Sequence, residues 1–94
     1  MRVFLTFLLL FPTAAFALTD NEIAARCQLA GITKVTDQAK AWNCDLADQV
    51  TVTGMDNRPE NPAKYIWFSA PVRHCTNGET AIQKMVQYYD GNCY

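Results

Sequence analysis

The sequence predicts a small disulfide-stapled α+β domain, in which about three helices pack on a two-stranded antiparallel sheet. Three observations favour this fold class. Apolar residues recur at helical spacing in three segments, and two segments before the third have the character of strands: one alternates in polarity and the other is a dense apolar run. A chain of 94 residues buries only a small core, so it needs cross-links, and four cysteines can supply them: Cys27, Cys44, Cys75 and Cys93.

The first 17 residues have the pattern of a secretory signal peptide. Arg2 supplies a positive charge, residues 3–11 form a short apolar run, and Ala15 and Ala17 place small residues where a signal peptidase cleaves. The apolar run is too short for a membrane span, which needs roughly 20 residues. We therefore predict cleavage after Ala17, a single exported domain over residues 18–94, and no membrane span after cleavage.

An even number of cysteines in an exported chain indicates a disulfide framework. The four cysteines allow three pairings. Cys75 and Cys93 would flank a predicted helix over 77–90, whose length would hold them too far apart for a direct bond. Of the two remaining pairings, we prefer Cys27–Cys93 with Cys44–Cys75.

Two helical segments are predicted before the first strand. Thr19 and Glu22 have the spacing of a capping box, which predicts a helix over 19–30 that ends at Gly31. A second helix is predicted over 36–47, from apolar residues that recur at spacings of three and four: Val35, Ala39, Trp42 and Leu46.

The two strands are predicted on either side of a turn-rich segment. Residues 49–53 alternate in polarity and are rich in β-branched side chains, and residues 64–70 form the densest apolar run after the signal peptide. The segment 54–62 has the Gly, Asn, Asp and Pro content of a loop, and Pro71 is expected to end the second strand. The two strands pair most simply as an antiparallel hairpin.

A third helix is predicted over 77–90. Thr76 and Glu79 again have the spacing of a capping box, and Gly91 follows as a stop signal. The predicted helix would bury one apolar stripe made of Ile82, Met85, Val86 and Tyr89.

No residue pattern predicts catalysis, a metal site or a cofactor. His74 precedes Cys75, but adjacent residues of an extended chain point to opposite faces, so we expect a disulfide cysteine and a surface histidine. The oxygen-rich segment 56–61 lacks the spacing of an EF-hand, and turn chemistry explains its composition. Asp45 and Asp48 could share a helix face, where solvation accounts for them. We expect a protein that is not an enzyme.

The candidate binding residues are Tyr65 and Trp67. Strand alternation places them on one face of residues 64–70, while Ile66, Phe68 and Ala70 share the other face. Helices on both faces of the sheet would bury Tyr65 and Trp67. Helices on one face alone would leave them exposed as anchors for a partner.

The predicted function is that of a small exported binding protein, more consistent with the periplasm than with another secretory route. It would be an inhibitor or an immunity-type protein that contacts a protein partner through its aromatic surface. The alternative is an accessory subunit of an envelope protein complex. The formal net charge is −1 and the charges are scattered, so nucleic acid is a poor candidate for the partner.

Overall fold

The computed structural model describes residues 18–56 and 62–94. The predicted signal peptide and its cleavage site lie outside the described residues and stay predictions. Within the described ranges, the helices are α1 (Asp20–Arg26) and α2 (Gln28–Ala41). They are followed by the strands β1 (Asp45–Leu46), β2 (Thr51–Asp56), β3 (Lys64–Arg73), β4 (Ala81–Tyr89) and β5 (Asn92–Cys93).

The strands form one antiparallel sheet with β3 at its centre. Both β1 and β2 pair with one side of β3, at different points along its length, and β4 pairs with the other side. The short strand β5 pairs with the far side of β4. The predicted fold class is wrong, because the described chain has two helices and a five-stranded sheet in place of three helices on two strands.

The first helix begins as predicted. The Thr19 hydroxyl accepts a hydrogen bond from the Glu22 backbone N–H at 3.2 Å, and the Glu22 carboxylate accepts one from the Thr19 backbone N–H at 3.0 Å. Two hydrogen bonds lower the pKa of the exposed Glu22 carboxyl. The larger effect comes from the Thr19 backbone N–H, and the smaller from the Thr19 hydroxyl. The capping box therefore stabilises the helix start most when Glu22 is ionised.

The predicted helix ends are wrong. Helix α1 ends at Arg26 and α2 follows almost at once, so Gly31 lies inside α2 and not after a helix. A Cβ atom at Gly31 would overlap the Phe68 ring, so this glycine is required by the close approach of α2 to β3. The second helix begins well before residue 36 and ends at Ala41, because the backbone reaches positive φ at Asn43.

The third predicted helix is a strand. A spacing of four, as between Ile82 and Val86, fits one face of a helix and also one face of a strand, so this pair does not distinguish the two. The Thr76 hydroxyl donates to the Trp42 carbonyl instead of capping a helix, and Gly78 makes a turn with φ of 77°. Pairing with β3 then satisfies the β4 backbone groups that point toward β3, from the Lys64–Tyr88 pair to the Pro71–Ala81 pair.

Both predicted strands are present, and their antiparallel pairing is confirmed, but their bounds differ. Residues 54–56 belong to β2 although a loop was predicted there, Pro62 lies outside any strand as predicted, and residues 57–61 lie outside the described part of the chain. Pro71 does not end β3. The Pro71 carbonyl accepts a hydrogen bond from the Ala47 N–H, so the Pro71 nitrogen also faces the β1 and β2 side of β3. The pairing of β2 with β3 does not extend to Pro71, so the missing N–H of proline breaks no hydrogen bond with β2.

The core lies between α2 and one face of the sheet. As predicted, the side chains of Ile66, Phe68 and Ala70 are buried there. Strand β4 adds the buried side chains of Ile82 and Val86. Burial of a large apolar side chain contributes about 1.5–3 kcal/mol. The helices contribute Ile23, Cys27, Val35 and Ala39.

Two disulfides close this core, with the preferred pairing. Cys27–Cys93 joins the α1–α2 junction to β5, and Cys44–Cys75 joins the end of α2 to the segment after β3. Their sequence separations are 66 and 31 residues. On the chain-entropy model, loops of these lengths stabilise the fold by roughly 4 kcal/mol each. Two disulfides in a small domain are also the pattern of proteins that fold in an oxidising, extracellular environment.

We predict that Gly31→Ala destabilises the protein. In an exposed helix this change stabilises by about 1 kcal/mol, but here the new methyl group displaces the Phe68 ring, and overpacking costs about 1–3 kcal/mol. Chemical denaturation measures the difference. The control is Thr33→Ala, which changes an exposed residue of the same helix and should shift the unfolding free energy by less than about 0.5 kcal/mol. A gain of about 1 kcal/mol in Gly31→Ala, the increment expected in an exposed helix, would contradict the close contact.

Candidate functional site

The face of the sheet opposite α2 contains both predicted binding residues. Tyr65 and Trp67 alternate along β3 with the buried residues Ile66 and Phe68, so their side chains point away from the helices. In the β3–β4 register, Tyr65 lies directly opposite Gln87, and Trp67 lies directly opposite Met85. Directly opposed side chains in an antiparallel pair stand on the same face.

The same register adds two tyrosines that the sequence analysis did not select. Gln87 and Tyr94 exchange backbone hydrogen bonds in both directions, at 3.2 and 2.8 Å, so Tyr94 stands beside Gln87 on this face. Tyr89 follows Gln87 by two positions in the same strand and shares its side. We call the following set the aromatic face: Tyr65, Trp67, Met85, Gln87, Tyr89 and Tyr94.

Much of the aromatic face is accessible to solvent. Met85, Tyr89 and Tyr94 are 38 %, 46 % and 57 % exposed, which places them among the most exposed large apolar residues of the described chain. Tyr65 and Trp67 are half-buried and lie on the central strand β3. One patch therefore gathers large side chains that soluble proteins usually bury or scatter.

Trp67 occupies the centre of this patch because of its neighbours on either side. Gly54 lies opposite Trp67 on β2, and a Cβ atom built there would come within 3.8 Å of the indole Cδ1. Gly54 therefore lies beside the indole on the β2 side, and Met85 is the residue opposite Trp67 on the β4 side.

Polar groups surround the patch. Thr53 and Ser69 share a hydrogen bond of 3.0 Å between their hydroxyl groups, next to Trp67 in the sheet. Asp56 lies opposite Tyr65 on β2, and Gln83 is exposed at the β4 side. Large aromatic side chains at the centre and polar groups at the rim are typical of protein–protein interfaces.

The sequence analysis missed Met85 and Tyr89 as surface residues because it placed them in the buried stripe of a helix. Four alternating residues carried a signal for the correct face, since Gln83, Met85, Gln87 and Tyr89 are too polar as a set to face a core. Tyr94 could not be placed on this face from the sequence, because its position depends on its pairing with Gln87 of β4.

The other chemical groups that we considered do not assemble into a reactive site. Cys75 is bonded to Cys44, so it is not a thiol nucleophile. The His74 Nδ1 lies 3.3 Å from an Asp45 carboxylate oxygen, and both side chains are largely exposed. Asp45 and Asp48 do not share a helix, because α2 ends before them and Asp45 belongs to β1.

Two further kinds of site, for a metal ion or for a membrane, concern residues 18–56 and 62–94. No group of three or more His, Cys, Asp or Glu side chains in these ranges is placed to hold a metal ion. No helix in the same ranges is long and apolar enough to cross a bilayer.

Comparisons of this chain with protein families, curated proteins and solved structures find no match. The function must therefore be inferred from the chemistry of the site itself.

The two faces of β3 predict opposite results for neighbouring substitutions. We expect Phe68→Ala to cost about 3–5 kcal/mol of stability, because it removes a fully buried ring from the core. Trp67→Ala removes a half-buried ring from the aromatic face and should cost much less, with a melting midpoint lowered by less than about 10 °C. Thermal melting of both variants checks this. A larger loss in Trp67→Ala than in Phe68→Ala would show that the two faces have been assigned in reverse.

Proposed function

We propose that the chain is a small exported binding protein that recognises a protein partner through its aromatic face. The observation that supports this most is the alignment of Tyr65, Trp67, Tyr89 and Tyr94 on the sheet face away from α2. Tyrosine and tryptophan are the residues that most often supply the binding energy of protein interfaces.

The rigidity of the platform supports the same proposal. The aromatic side chains project from hydrogen-bonded strands, and the opposite face of those strands is fixed to α2 by the core. The disulfide Cys27–Cys93 holds the strand that leads to Tyr94. A preformed surface binds more tightly than a mobile one because less conformational entropy is lost on association.

The two disulfides favour an oxidising compartment, and the predicted signal peptide supplies a route to one. We propose the periplasm, and we propose that the protein acts there as an inhibitor or an immunity-type protein. Such proteins act by occupying a surface of another protein, which requires a rigid anchor surface and no catalytic group.

Site-specific photo-crosslinking tests the proposal in the producing cells. A benzophenone amino acid replaces Tyr94 in one variant and Leu29 in another; both positions are strongly exposed, at 57 % and 76 %, but Leu29 lies on α2. We expect a discrete adduct with one protein from position 94 and none from position 29. The adduct should be lost when Trp67→Ala is added, since loss of a central aromatic anchor costs about 2 kcal/mol or more.

Two results would contradict the proposal. One is an adduct from position 29 in the absence of any from position 94, which would move the binding surface to the helical side. The other is an adduct from position 94 that Trp67→Ala leaves unchanged, which would remove the aromatic face as the source of affinity. Circular dichroism of each variant establishes that the fold is retained.

A further inference from the structure

The outer edge of β4 is only partly covered by a neighbouring strand. In the described part of the chain, β5 pairs with Tyr88 and Tyr89, and Tyr94 extends this pairing to Gln87. No described strand pairs with the same edge from Ala81 to Met85. An unpaired edge with regular strand geometry can accept the backbone of another chain.

The direction of the backbone groups follows from the pairing of Gln87. Its N–H and C=O both bond to Tyr94, away from β3. Since backbone groups alternate sides along a strand, those of Ala81, Gln83 and Met85 also point away from β3. The Met85 carbonyl accepts a hydrogen bond from the Lys34 ammonium at 3.0 Å, and the remaining groups of this edge have no described partner.

A groove runs beside this edge. It lies between α2 and β4, has a volume of about 530 Å³, and is lined by Lys34, Asp37, Gln38, Ala41, Lys84 and Met85. Lys84 stands opposite Phe68 in the sheet register, so its side chain is on the face of the helices and reaches the groove. The groove can therefore receive alternate side chains of a strand that is added to the edge.

We propose that the β4 edge binds an extended acidic segment of a partner protein by antiparallel strand addition. The segment would continue the line of β5, and its backbone would pair with Ala81, Gln83 and Met85. The residue opposite Lys84 would point into the groove. The chain's own β5 already occupies the adjoining part of this edge in the same orientation, which shows the geometry that an added strand would adopt.

The charge of the groove identifies the acidic character of the segment. Among the side chains that line the groove, Lys34 and Lys84 are positive and Asp37 is negative, and Lys34 already binds the Tyr94 carboxyl oxygen, so Lys84 is the positive charge left for a ligand. Lys34 donates to the backbone oxygens of Met85 and Tyr94, at 3.0 and 2.8 Å, while no described group pairs with Lys84. A glutamate or aspartate directly opposite Lys84 would supply that pair, because opposed residues of opposite charge stabilise antiparallel strands.

A second copy of this chain fits the edge less well. Two β4 strands that paired antiparallel about Gln83 would place each Lys84 opposite Ile82 of the other copy. Pairing centred on Lys84 itself would place the two lysines opposite each other, which destabilises a strand pair. Neither register supplies an acidic group to the groove.

This inference goes beyond the proposed function, because the edge and the groove are separate from Trp67 and Tyr65. Strand addition therefore stands whether or not the aromatic face binds a partner. An added strand would place its other side chains beside Met85, so one partner could use both surfaces.

Hydrogen exchange of the oxidised mature protein tests the inference. The probes are a peptide of alternating glutamate and valine and the same peptide with lysine in place of glutamate. We expect the glutamate peptide to slow exchange at the Gln83 and Met85 amides by about tenfold at a concentration of about ten times Kd, and the lysine peptide to have no effect. Lys84→Glu should reverse this preference, while Lys40→Glu, which changes an exposed lysine outside the groove, should preserve it.

Each other outcome overturns the inference. If neither peptide protects these amides, the edge does not bind an added strand, and Lys34 and Lys84 serve only to keep it unpaired. If both peptides protect equally, the groove does not select acidic segments. If the amides are protected without peptide and sedimentation shows a dimer, the occupant is a second copy. The variant Trp67→Ala should retain peptide protection, so failure of the aromatic face and failure of the edge give different results.

Discussion

The contact between Gly31 of α2 and the Phe68 ring of β3 sets the distance between the helix and the sheet. Because no side chain separates them at this point, α2 lies close enough to bury Ile66 and Ala70 beside Phe68. The two disulfides tie α2 to the sheet at the start of the helix and just beyond its end. A small core is sufficient to stabilise the fold because the close contact and the two disulfides reduce the apolar surface that the rest of the chain must bury.

The opposite face of the sheet follows from the same constraint. A single layer of helices covers a single face, so residues that alternate with Ile66 and Phe68 must point away from the core. Soluble sheets commonly place polar residues on such a face. Here Trp67 and Tyr65 occupy it in the central strand, and the strands at the far edge add Tyr89 and Tyr94. This departure from the ordinary pattern is the reason for proposing that the surface binds a partner.

Sequence periodicity was reliable where a local signal decided the structure. The Thr19–Glu22 capping box and the two faces of β3 follow from local spacing, and both are confirmed. It failed where tertiary contacts decided. Gly31 resembles a helix stop until Phe68 is placed against it, and β4 resembles a helix until pairing with β3 is known. The error in β4 hid part of the aromatic face, since a helical assignment buries Met85 and Tyr89 in one stripe.

The central claim, that β3 and β4 share one register with a buried face and an aromatic face, can be tested by nuclear Overhauser measurements on the oxidised protein. Trp67 and Met85 are opposed without exchanging hydrogen bonds, an arrangement that brings the two Cα atoms to about 4.5 Å. The account predicts a strong cross-peak between the Hα protons of Trp67 and Met85. The absence of this cross-peak, together with helical contacts between residues three apart in the segment 81–89, would contradict the register and the aromatic face that depends on it.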